Sequence, residues 1–135
     1  GIMRPVTAAV ALFSALAVVP GVGLTGAGPH AGAAGAPRNG LGWDLFSHIH
    51  AVPAYLVTAG TVVALALVLM RRITGPFRFA VLGLLAVTVL QAAIGFTQYY
   101  NGIPALLVAA HMLGAALLMA AATNAWDVAK SSPVE

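Results

Sequence analysis

Two histidines lie inside long apolar stretches of this chain, His50 and His111. A titratable ring in hydrocarbon is costly, and such residues mark functional sites by default. An imidazole there can do two things: hydrogen-bond across helices, or ligate a metal through one ring nitrogen. A single membrane histidine serves either role. Two histidines at matched depth on different helices point to axial ligation of one haem iron from opposite sides. His48 is the runner-up ligand. It lies two residues from His50, so on a helix it points about 200° away and reads as interfacial. His30 falls in a loop and reads as solvated.

The elements that would position these histidines follow from composition. Hydrophobic residues make up 61% of the 135-residue chain and charged residues 7%, against about 25% charged in a soluble domain. The only acids are Asp44, Asp127 and Glu135, and the formal charge is +3. The positive charges are few and scattered, so they orient a membrane protein rather than bind nucleic acid. With no cysteine, disulfides, thiolate metal sites and covalent c-type haem attachment are excluded.

A membrane-spanning helix needs about 20 mostly apolar residues. Four stretches qualify, near 6–24, 44–70, 79–98 and 104–126. The first has Arg4 ahead of it, as a signal peptide would. At 19 residues it exceeds the usual signal core of about 7–15, and it reads as a retained span. Gly1 in place of an initiator Met suggests a processed, tagged or partial chain. Residues 25–43 (TGAGPHAGAAGAPRNGLGW) read as a long loop, 71–78 (RRITGPFR) as a basic turn, and 99–103 (YYNGI) as a tight turn. Pro104 suits the first turn of the last helix. Asp44 reads as the cap of the second.

Four spans place Arg4, Arg71, Arg72, Arg78 and Lys130 on one side and Arg38 alone on the other. The positive side is the cytoplasmic one. The expectation is therefore an all-α, integral membrane four-helix up-down bundle in the plasma membrane, with both termini cytoplasmic. Trp43, Tyr99, Tyr100 and Trp126 fall at the interfaces with lipid headgroups. Gly83, Ala86, Ala93, Gly95, Gly114 and Ala115 are small enough for close helix contacts.

In such a bundle the second and fourth helices run the same way and sit on a diagonal. His50 and His111 then both lie about 10 Å below the outer surface, at about 1.5 Å per residue. Neighbouring helices stand about 8–10 Å apart, so a diagonal pair is about 11–14 Å apart. A flat porphyrin with an imidazole on each side fits that gap. His111, Gly114, Ala115, Leu118 and Ala122 share one face, and His50, Ala54, Val57 and Thr61 another. Pro53 frees a backbone carbonyl near His50 and bends its helix. Gln91 and Gln98, seven residues apart on one face of the third helix, could bond across the core or to a bound ring. Arg38 and Asn39 lie above the ring position and could pair with haem propionates; an ordinary solvated loop is the alternative.

At these residues the chain resembles a known family. QAAIGFTQYYNGIPALLVAAHMLGAALLMAA, residues 91–121, is similar to the C-terminal half of bacterial haem A synthases. So is LTGAGPHAGAAGAPRNG, residues 24–40, in the style of actinobacterial members. The likeness runs helix by helix along nearly the whole chain, and the run around Gln98, Pro104 and His111 is its most specific part. The resemblance implies an integral membrane oxidoreductase that converts the C8 methyl of haem O to the formyl of haem A for cytochrome oxidase. It implies two four-helix halves, each with a histidine pair, haem b in the C-terminal half and haem O in the other. His50 and His111 match the haem b pair; Gln98 and Arg38 join them as cofactor-binding candidates.

The departures are specific. The substrate half of the family carries a glutamate three residues before its first histidine, where this chain has Ser47. No glutamate lies in any of the four spans, and the family's loop cysteines are missing. The chain thus resembles the cofactor half, with no catalytic residue of its own. It would be one four-helix domain, 1–135, equivalent to half of an eight-helix enzyme. Its partners would be lipid, a second half or subunit holding haem O, and haem O synthase or oxidase assembly proteins. Two other readings use the same residues. One is a b-type cytochrome that only carries electrons, and the other an accessory membrane subunit with an empty pocket.

Overall fold

The computed structural model describes residues 1–28 and 37–131. Among these, four helices run α1 (Met3–Ala27), α2 (Trp43–Met70), α3 (Pro76–Tyr100) and α4 (Ala105–Ser131). All four are long and apolar enough to cross a membrane. The chain is a multi-pass membrane protein and folds as an all-α up-down bundle. Backbone N–H and C=O groups have no water to bond in lipid, so each segment closes its own helical ladder.

The helices extend beyond the apolar windows at several ends. Hydropathy stops where charge begins, but the hydrogen-bonded ladder does not. Pro76 starts α3 because its missing N–H costs nothing in a first turn, so Arg78 belongs to the helix and not to the turn. Pro104 stands just outside α4, and its carbonyl accepts the Val108 N–H at 3.1 Å. Asp44 makes no cap: Gly42 is the N-cap residue of α2 and no side chain bonds there. Asp44 lies in the first turn, where its charge faces the positive end of the helix dipole.

The basic connection ends α2 with a left-handed residue, Arg72 at φ 52°. The Ile73 N–H bonds the Val68 carbonyl at 2.9 Å and the Arg72 N–H that of Leu69 at 3.2 Å. That pattern is a Schellman cap, and Ile73 packs on the cluster containing Val68. At the end of α3, Gly102 at φ 72° takes the same place, and the Ile103 N–H bonds the Gln98 carbonyl at 2.8 Å.

Each helix buries one stripe at alternating steps of four and three. On α1 it is Met3, Thr7, Val10, Ser14 and Ala17; on α2, Val57, Thr61, Ala64 and Val68. On α3 it is Phe77, Val81, Leu84, Thr88 and Gln91; on α4, Leu118, Ala122, Ala125 and Ala129. A repeat of 3.5 residues keeps a seam facing its neighbours along a left-handed bundle. Buried Thr7, Ser14, Thr61 and Thr88 each return their hydroxyl to a carbonyl four residues earlier, which leaves no donor unpaired. Contacts join α1 to α2 and α4, and α3 to α2 and α4, so α2 and α4 form a diagonal. Gly60 lets α1 approach α2, since a Cβ there would reach Val10. Gly83, Ala86 and Ala93, by contrast, are exposed, and a Cβ at Gly83 would meet nothing within 4 Å.

The start of α1 and the end of α4 lie at one end. Arg4 on α1 donates from Nε to the Ala129 carbonyl at 3.2 Å and from a terminal nitrogen to that of Lys130 at 3.4 Å. It thereby places a cation on the last carbonyls of α4, where one is favoured. Arg71, Arg72, Arg78 and Lys130 occupy the same end by the antiparallel order of the helices. Arg38 is exposed at the other end.

Candidate haem-ligand site

The four stripes converge at the non-basic end on one layer. Continuing each by its own step reaches Gly21 on α1, His50 on α2, Gly95 on α3 and His111 on α4. The layer therefore carries two imidazoles on one diagonal and two glycines on the other. The His50 and His111 ring centres lie 6.1 Å apart with their planes at 79°. His50 sits seven residues into α2 and His111 six into α4, which equalises their depth at about 10 Å.

The glycines are required by the rings. A Cβ on Gly21 would come within 3.1 Å of the His50 ring, and one on Gly95 within 3.3 Å of His111 Cε1. Gly114, one turn below His111, leaves room for Gln91: a Cβ there would fall on the Gln91 side-chain oxygen. Gln91 donates from Nε2 to the His111 carbonyl at 3.1 Å. It thus ties α3 to the backbone that carries the second histidine.

The two rings are held differently. His50 Nδ1 lies 2.8 Å from the carbonyl of Ala17 on α1. A carbonyl only accepts, so Nδ1 carries the proton and Nε2 keeps a free lone pair. Pro20 belongs to the next turn of α1; it lacks the N–H that would bond the Leu16 carbonyl and so loosens that stretch of the ladder. His111 Nδ1 is buried and has no partner. Two further buried oxygens, Gln91 Oε1 and Gln98 Oε1, are also unpaired. All three lie on α3 and α4. Buried polar atoms in native structures are nearly always bonded, so this cluster is where a water or a ligand has work to do.

The other candidates separate clearly. His48 is exposed, and its Nδ1 bonds the Asp44 carbonyl of its own helix at 2.7 Å; it points away from the layer. Ser47 bonds the Trp43 carbonyl at 2.8 Å. Arg38 is exposed. Asn39 is spoken for by the backbone: Nδ2 donates to the Gly23 carbonyl at 2.7 Å and Oδ1 accepts the Leu41 N–H at 3.1 Å. It closes the loop onto the end of α1, above the histidine layer. His30 lies outside the described residues.

Sequence reasoning did not single out Gly21 or Ala17. The signal for Gly21 was available in the four-three stripe of α1. No local signal exists for the Ala17 carbonyl, 33 residues from its ring. Among the described residues no group of three or more His, Cys, Asp and Glu side chains gathers to hold a bare metal ion. Two imidazoles are half of a tetrahedral set but the full protein contribution to a six-coordinate haem iron. No protein-family model matches the chain, nor does any curated protein or solved structure.

Proposed function

We propose that the chain holds one haem b between His50 and His111. The separation of the rings carries this reading. Imidazole nitrogens bind zinc at about 2.0–2.1 Å, so one metal held by both rings would keep the ring centres on the order of 6 Å apart. The two rings stand 6.1 Å apart. The Gly21–Gly95 diagonal supports the reading from another side, since the absence of a Cβ at each glycine lets both imidazoles seat between the helices. The protonated Nδ1 of His50 leaves Nε2 to ligate. Gln98 lies on the same stripe as Gly95, and Arg38 stands at the mouth of the bundle.

Bound there, the haem would supply one-electron redox chemistry. The chain's own residues would supply ligation, a largely apolar shell and the basicity of the two imidazoles, which set the potential. The basic end of the bundle would be cytoplasmic, with the site near the outer face of the plasma membrane. By its resemblance to haem A synthases the chain would be the cofactor half of that enzyme. A second four-helix bundle with haem O would complete it. Among the described residues no carboxylate faces the histidine layer: Asp44 and Asp127 are exposed at helix ends. By itself the chain would therefore pass electrons without oxidising a substrate.

An absorption spectrum of the purified chain, oxidised and reduced, tests the proposal. The expected result is a low-spin haem spectrum with protohaem as the extracted pigment. A chain expressed with ample haem that shows no Soret band would end it. Co-purification of a glutamate-bearing second half would support the synthase; a complete complex with no such half would leave an electron carrier.

A further inference from the structure

The two histidines differ in what holds Nδ1 of the ring. His50 has the Ala17 carbonyl at 2.8 Å. His111 Nδ1 is buried with no partner, and two buried acceptor oxygens on the adjoining helix are unpaired as well, Gln91 Oε1 and Gln98 Oε1. A ring donor and an acceptor short of partners on one helix pair call for each other.

Geometry decides between the two oxygens. Gln91 is committed below the ring: its Nε2 holds the His111 carbonyl, and its Oε1 lies over Gly114. Helical side chains lean toward the N-terminus of their helix. The His111 ring therefore leans away from Gly114, toward the start of α4. Gly95 lies against that ring: a Cβ there would stand 3.3 Å from Cε1 and 3.9 Å from both Nδ1 and Nε2. Gln98 is three residues beyond Gly95, one turn further out on the same face of α3. Because α3 is antiparallel to α4, the Gln98 side chain leans back toward Gly95 and the ring. The two side chains incline toward each other.

We propose that Gln98 is the positioning residue for His111. Its Oε1 accepts the Nδ1–H of the ring, directly or through one water, and so fixes the tautomer whose Nε2 keeps the free lone pair. Gln98 then does on α3 and α4 what the Ala17 carbonyl does on α1 and α2. The proposal deepens the haem reading and rests on it for the consequence at the iron. An acceptor on Nδ1 makes an imidazole more basic and lowers the potential of the metal it binds.

Two measurements test it. In the full chain in detergent, without added haem, ¹⁵N spectra of histidine report the tautomer of His111. Wild type should show the Nδ1–H form, and Gln98→Leu should shift toward the Nε2–H form. Gln91→Leu should leave His111 unchanged at Nδ1. In the haem-loaded chain, Gln98→Leu should raise the midpoint potential, and Gln98→Glu, a stronger acceptor, should restore or lower it. Identical His111 signals in wild type and Gln98→Leu, or a shift produced by Gln91→Leu instead, would overturn the assignment. So would an unchanged potential in both Gln98 variants. A wild-type chain that binds no haem would end the haem reading, while the tautomer measurement would still decide Gln98.

Discussion

The two ends of this bundle are built on opposite terms. At the basic end the core is closed. Met3, Val10, Val68, Phe77, Val81 and Leu84 are each no more than 1% exposed, and they form two continuous clusters with the alanines of α4. Among the described residues, every one of the largest fully buried side chains lies in that half. At the other end the same four stripes carry glycine, imidazole and amide. His50 and His111 are only half-buried, and the buried side-chain atoms without partners gather there. Lipid is as apolar as a protein core, so helices in a membrane associate through packing and hydrogen bonds and not through water exclusion. The closed end supplies that packing. It allows the other end to carry imidazoles and amides on the same stripes in place of packed apolar side chains.

Several substitutions sharpen or break this contrast. The largest effect is expected from His111→Ala, which should abolish the low-spin haem spectrum while leaving the helical content intact; unchanged absorbance would remove His111 as a ligand. Next in size is Leu84→Ala in the closed half. Equilibrium unfolding in detergent should show a loss of about 2 kcal/mol, the lower end for a buried leucine because only packing is forfeited in lipid. A loss below about 0.5 kcal/mol would mean that the basic end is not the rigid half. Gly114→Ala should cost about 1 kcal/mol, the worth of the Gln91–His111 bond that the new methyl displaces. The same change at Gly83, where a Cβ meets nothing within 4 Å, should gain about 0.5 kcal/mol through helix propensity. If the two glycine variants behave alike, the packing around Gln91 is not as described. The smallest effect is expected for His48→Ala, with the haem spectrum nearly unchanged. Loss of haem there would transfer the ligand role to His48.

Much of the fold was legible in the chain itself. Four apolar runs of sufficient length, and a five-to-one split of Lys and Arg between the two sides, leave few topologies other than four antiparallel spans. The depth match of His50 and His111 follows from counting residues from each helix start. The helix faces of His111, Gly114, Leu118 and Ala122, and of His50, Val57 and Thr61, follow from the helical repeat. Small residues were less legible. Gly83 and Gly95 are indistinguishable by type, yet one faces outward and the other seats an imidazole, because only the rotation of α3 about its axis separates them. The cap of α2 was misplaced onto Asp44 because a carboxylate near a helix start reads as a cap until its backbone position is known.

The sequence alone determined that this protein has four spans long and apolar enough for a membrane and carries a histidine pair at one level, since length, hydropathy and helical period are local properties of the chain. Tertiary structure decided how that pair is held. Ala17 meets His50, Gly95 meets His111, and Gln91 reaches the His111 backbone only because helices distant in sequence are rotated into a common layer. Backbone carbonyls have no sequence signature, and the phase of one helix against another is set by packing along its entire length.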